Sequence, residues 1–184
     1  MIISLTGFMG CGKSSVGRRL SELLCCRFMD LDSVIEERTG RSIPEIFASD
    51  GEAAFRDIEK ETLKDILASN AENPQSDRRQ NPLILSLGGG TVMTPECAEM
   101  IHEKTMCIYL NASQETLVNH LESEASARPL LSGTNLRDRI SELMILRSST
   151  YEKTAHVIID TDGNDIEDIA DKIIHSVITE EEPV

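Results

Sequence analysis

Tryptophan is absent from this chain of 184 residues, and four Phe and two Tyr are its only aromatics, so its core has to be mainly aliphatic. No apolar run approaches the roughly 20 residues needed to span a bilayer, so no membrane helix is expected, and the acidic net charge disfavours an anionic membrane as partner. A glycine-rich motif starts at residue 7 and leaves no room for a secretory leader, so the expected compartment is the cytoplasm. Cysteine is sparse: Cys11, Cys25, Cys26, Cys97 and Cys107 form no C-x-x-C pair, and an odd count argues against a disulfide framework. His102, His120, His156 and His175 are scattered without ligand spacing, which argues against zinc. Basic residues are outnumbered as well. The net charge of −14 disfavours nucleic acid as a partner. Residues 160–184 carry nine acids against one base, Lys172, so eight of those negative charges belong to a solvated C-terminal region. Arginines elsewhere stay available for anionic ligands.

What is present is an alternation of strands and helices within one domain, residues 1–184. Short, nearly all-apolar strands are expected at Ile2–Thr6, Arg27–Asp30, Leu83–Leu87, Met106–Leu110 and Val157–Asp160, a pattern that suits a parallel sheet covered on both faces. The last helix is marked by Ile166, Ile169, Ala170, Ile173, Ile174 and Val177 at helical spacing, with Asp165 placed to cap it. The expected fold is a three-layer α/β/α domain with ligands at the C-terminal strand ends. Residues 70–82 and 122–135 read as polar loops.

Gly7 to Ser14 spell Gly-Phe-Met-Gly-Cys-Gly-Lys-Ser, a complete G-x-x-x-x-G-K-[ST] phosphate loop. Its surroundings fit: the apolar run Ile2–Leu5 precedes it, and Val16, Leu20, Leu23 and Leu24 follow at helical spacing. Backbone N–H groups of such a loop form an anion nest at a helix N-terminus. The nucleoside triphosphate contacts expected are Gly10, Cys11, Gly12, Lys13, Ser14 and Ser15, with Lys13 on the β- and γ-phosphates and the Ser14 hydroxyl on Mg²⁺. Cys11 is either a thiol activated by nearby backbone donors or a tolerated variable position.

Four further features carry chemistry. Asp30-Leu31-Asp32 ends the second strand, where alternation would send both carboxylates to one side; a cation plus a hydroxyl acceptor satisfies the pair, and a helix N-cap is the other reading. Leu87-Gly88-Gly89-Gly90 follows the third strand and implies close approach by a ligand or a tight turn. Arg147 continues the apolar stripe of Leu136, Ile140, Leu143 and Met144, so it needs an anionic substrate, an internal salt bridge or a route to water. Arg56 has Glu59 one turn on, and Arg128 lies in the second polar loop, where a lid can bring it to a transferring phosphate.

The phosphate loop, Asp30-x-Asp32, Thr39-Gly40-Arg41-Ser42-Ile43, Asp50-Gly51-Glu52, Phe55-Arg56, Leu87-Gly88-Gly89-Gly90, Arg128-Pro129-Leu130-Leu131 and Arg147…Tyr151 occur in an order that resembles the shikimate kinases. The resemblance implies a P-loop, nucleoside-monophosphate-kinase-like fold with a five-stranded parallel sheet in order 2-3-1-4-5. It implies phosphoryl transfer from ATP, with one Mg²⁺ ion, to the 3-hydroxyl of shikimate by a cytoplasmic monomer. Carried over, Lys13, Asp32 and Arg128 are catalytic; Ser14 and Asp30 serve the metal; Asp32, Arg56, Gly88, Gly89, Gly90 and Arg147 hold the substrate. Arg128 also contacts ATP from a lid at about 122–135, and a helical segment at about 33–69 binds substrate. Two family features are missing: Val118-Asn119-His120 stands where an adenine-stacking arginine often occurs, and Asp162-Gly163-Asn164 lacks the basic residue that often follows the fifth strand. The rival readings are another small-molecule kinase, acting on gluconate or a nucleotide, and a nucleotide-dependent switch without turnover.

Overall fold

A computed structural model describes residues 1–71, 82–122 and 135–178. The order is β1 (Ile2–Thr6), α1 (Lys13–Leu23), β2 (Arg27–Asp30), α2 (Leu31–Thr39), α3 (Ile43–Ala71), β3 (Leu83–Ser86), α4 (Pro95–Lys104), β4 (Met106–Asn111), α5 (Gln114–Leu121), α6 (Leu136–Thr154), β5 (Val157–Asp160) and α7 (Ile166–Ile178), with a 3₁₀ turn at Thr91–Met93. The five strands form one sheet in order β2-β3-β1-β4-β5, every pair parallel. Both match the expected fold class; the third strand ends one residue earlier than expected and the fourth one residue later.

β1 is central and all five of its residues are buried. Ile3 and Leu5 join Ile84, Leu85, Ile108 and Leu110 in a core that is aliphatic, as the shortage of aromatics requires. Ser4 is tolerated there because its hydroxyl pairs with Thr105 Oγ1 at 2.7 Å. The last helix is capped as expected: Asp165 Oδ1 accepts from the N–H of Asp168 at 2.9 Å.

Because all strands run the same way, the loop after β1, Asp30 at the end of β2 and the glycines after β3 leave one edge of the sheet together. Chain order diverges from β1, with β3 on one side and β4 on the other, which opens a crevice at that edge. Residues 33–69 are helical apart from the turn at 40–42 and a break at Gly51, whose φ of 83° is left-handed. A Cβ at Gly51 would meet nothing within 4 Å, so conformation rather than space selects glycine there. Among the described residues no helix is long and apolar enough to cross a membrane. Most of the polar stretches at 70–82 and 122–135, including Arg128, lies outside the described residues.

Candidate active site

The phosphate loop turns on three left-handed glycines: Gly7 (φ 141°), Gly10 (φ 81°) and Gly12 (φ 93°), the last preceding α1 directly. The N–H groups of Gly12, Lys13, Ser14 and Ser15 have no protein acceptor among the described residues, as expected of the unpaired donors that open a helix. With the helix dipole behind them they make an anion site. Lys13 is buried and folds back over the loop, its Nζ donating to the carbonyls of Gly7 and Phe8, both at 2.9 Å, and to Cys11 Sγ at 3.8 Å. Cys11 is itself buried, its sulfur 2.9 Å from where a Cβ on Gly7 would stand. On the loop's outer side His120 places Nδ1 2.8 Å from the carbonyl of Gly10, tying α5 to the loop.

Asp30 reconciles the two readings of its carboxylate. Oδ1 accepts from the N–H groups of Asp32 and Ser33, capping α2, while Oδ2 accepts from the Ser14 hydroxyl at 2.6 Å. Asp32 arrives differently from the expectation. The strand stops at Asp30, so Asp32 sits in the first turn of α2 and owes its direction to the helix, not to strand alternation. Burial, with Asp30 and then Glu59 nearby, pushes its carboxyl up to about 6, against the pull of Lys13.

Gly88 and Gly90 are explained by close approach of side chains, and Gly89 by the Met9 backbone, 3.1 Å from where its Cβ would stand. None of the three has a left-handed φ. A Cβ on Gly88 would stand 2.8 Å from Asp32 Oδ1 and 3.0 Å from Glu59 Oε1; one on Gly90 would stand 2.5 Å from Arg56 Nη2. Arg56 is also not the surface ion pair that its i,i+3 spacing suggests. Its partner Glu59, reached by Nη1 at 2.7 Å, is fully buried and takes a second bond at 2.6 Å from the Thr91 hydroxyl, also buried. Arg147 is buried on α6, over the Phe8 ring at 6.0 Å, and donates from Nη1 to the Gly89 carbonyl at 3.2 Å. No carboxylate pairs with it among the described residues. That leaves most of its donors for an incoming anion, and it rules out the internal salt bridge there.

An open cleft of about 940 Å³ joins these parts. It runs from Asp32, Leu87 and Gly89 past residues 9–15 of the phosphate loop to Thr116, His120, Thr161 and Asn164. Arg56 and Arg147 stand outside this lining, against the backbone of Gly90 and Gly89. The site thus brings together every candidate residue that is described. Sequence reasoning missed Thr91 and underrated Glu59 and Tyr151. The only signals were the hydroxyl next to the triple glycine, the i+3 spacing from Arg56 and the i+4 spacing from Arg147.

Comparison with known proteins agrees with this geometry. Residues 9–178 match the family model described as shikimate kinase. A curated shikimate kinase from Thermus thermophilus is 39% identical over 175 residues, 95% of this chain and 89% of that protein. Another, from Dictyoglomus turgidum, is 37% identical over 174 residues, 94% of each. A solved shikimate kinase from Acinetobacter baumannii, in complex with shikimate, superposes with a TM-score of 0.88 at 31% identity, covering 98% of this chain and 94% of that one. With its phosphate loop, its paired aspartates and its arginine-flanked glycine turn, the chain belongs to the shikimate kinase family.

Proposed function

We propose that this protein transfers the γ-phosphoryl group of ATP to the 3-hydroxyl of shikimate, giving shikimate 3-phosphate and ADP. The observation that carries the substrate choice is Arg147: a buried cation with no carboxylate partner among the described residues, one peptide from the Arg56 guanidinium. Two such forks at one turn suit a compact carboxylate far better than a nucleobase. The N–H groups of Gly89 and Gly90 lack protein acceptors among the described residues, so they can donate to ring oxygens of the same ligand.

In this reading the loop N–H groups and Lys13 bind the phosphates, and Lys13 exchanges its loop carbonyls for phosphate oxygens. Ser14 and Asp30, already 2.6 Å apart, would hold Mg²⁺. The fit is sound, since Mg²⁺ takes few protein oxygens beside phosphates and water, and the described residues offer no larger cluster. The ion would neutralise charge between the β- and γ-phosphates. Asp32 accepts from the attacking hydroxyl. With its carboxyl at about 6 it is ionised at neutral pH yet basic enough to share the proton as the new bond forms. Arg56 and Arg147 hold the acid end, which places the hydroxyl in line. Arg128 serves the transition state from the lid, and Thr161 and Asn164 border the adenine end. We assign the protein as a cytoplasmic monomer.

The test is ADP release from Mg·ATP by purified protein with shikimate, gluconate or a nucleoside monophosphate as acceptor. Stimulation by shikimate alone is the expected result. Turnover indifferent to every acceptor would replace the kinase reading with a nucleotide switch.

A further inference from the structure

Tyr151 lies one helical turn beyond Arg147 on α6 and is 1% exposed. Its hydroxyl donates to the carbonyl of Gly89, the same oxygen that Arg147 Nη1 reaches at 3.2 Å. The phenol ring is held from a different layer: it stacks on Tyr109 of β4 with centroids 5.2 Å apart, and the Tyr109 hydroxyl donates to Asn111 Oδ1 at 3.1 Å. Burial pushes the Tyr151 hydroxyl well above the usual phenol range, against the pull of Arg147, so it remains a proton donor at any working pH.

A carbonyl enclosed by protein must be satisfied, and this one has two donors. They are not equivalent. The tyrosine hydroxyl is a neutral donor beside the arginine, whereas the arginine is the cation proposed to grip the substrate acid. If Arg147 were the sole donor, a carboxylate would have to compete with the Gly89 carbonyl for it. With Tyr151 present, the guanidinium can turn to the ligand without orphaning the peptide. The peptide is trans, so holding the Gly89 carbonyl toward α6 also points the Gly90 N–H away from α6, as a free donor.

We infer that Tyr151 is a positioning residue for recognition of the substrate's carboxylate: by occupying the Gly89 carbonyl it releases Arg147 for the anion and fixes the Gly89–Gly90 peptide. This rests on the reading of the site as one for a small carboxylate acceptor. The experiment is steady-state kinetics of the full chain, varying shikimate and ATP separately, for the natural protein, Tyr151→Phe, Arg147→Ala and the double variant, with melting temperatures alongside. Tyr151→Phe should raise the KM for shikimate about tenfold, with the KM for ATP and the melting temperature nearly unchanged. In the Arg147→Ala background, where no guanidinium is left to release, the same substitution should raise the shikimate KM several-fold less than in the natural background, with a lower melting temperature because the Gly89 carbonyl loses both donors. An unchanged shikimate KM in Tyr151→Phe overturns the inference. So does a parallel rise in both KM values with a lower melting temperature, or a full effect that persists without Arg147. Failure of the natural protein to use shikimate would instead overturn the substrate reading itself, and the two failures cannot be confused.

Discussion

The two ends of the cleft are built on opposite plans. The phosphate end is local: eight consecutive residues, three left-handed glycines and one helix start supply it, and its donors are mostly backbone. The acid end is assembled from α2, α3, the turn after β3 and α6; Glu59 and Arg147 are buried, Asp32 and Arg56 half-buried, and side chains and the Gly89 carbonyl hold them. A backbone site tolerates much of the surrounding sequence, because every residue brings an N–H. A site of buried ions does not, since each charge removed from water needs its partners in place. In the proposed assignment the phosphate end suits a broad class of proteins, and the acid end narrows it to a carboxylate substrate.

Substitutions at the two ends should separate cleanly. Lys13→Ala removes the cation from the phosphate end and should lower the rate of ADP formation about 10³-fold, while shikimate binding measured by calorimetry persists. Loss of both ligands together would show that the ends are one unit. Asp32→Asn, between them, should lower the rate by about 10²–10³-fold. For the natural protein the shikimate-dependent rate should fall as pH drops through about 6, where the Asp32 carboxyl protonates. Stability runs the other way. The native value lies above that of an unfolded aspartate, so this group's contribution is full below about pH 4 and is lost as pH rises through about 6. Asp32→Asn should accordingly be more stable than the natural protein to denaturant at pH 8, by up to about 3 kcal/mol, and equally stable at pH 4. A variant that is inactive and no more stable at pH 8 would remove the buried-carboxylate account.

Arg147→Ala should raise the KM for shikimate about 100-fold with the KM for ATP unchanged. Gly90→Ala forces a methyl within 2.5 Å of Arg56 Nη2 and should raise the shikimate KM about tenfold, again sparing ATP. The smallest effect is expected at Gly51. Alanine there has space but the wrong φ, so denaturant titration should show a loss of about 1 kcal/mol with neither KM altered.

The five strands and the phosphate loop could be anticipated closely because each rests on a contiguous pattern: apolar runs for buried parallel strands, glycine spacing for the loop, 3.6-residue periodicity for α7; the sheet order was legible only through the family resemblance. The capping carboxylate of Asp165 was equally legible, since a cap acts on N–H groups within three residues. Asp32 was found for an incomplete reason, because the end of β2 depends on when the backbone finds a cap, and Asp30 supplies it one residue before strand alternation would matter. The burial of Glu59 beside a half-buried Arg56 could not be read at all. An Arg–Glu pair at i,i+3 looks the same in sequence whether Glu59 faces water or, as here, lies fully buried against Thr91.

Sequence alone determined the elements, their alternation and the chemistry of the nucleotide end, because those depend on interactions between residues a few positions apart. Only tertiary structure decided which arginine has a carboxylate partner among the described residues and which does not, why glycines stand beside Asp32, Met9 and Arg56, and that a tyrosine shares a carbonyl with Arg147. Those facts depend on side chains from distant segments meeting within 3 Å in a space where water cannot compensate for a missing partner.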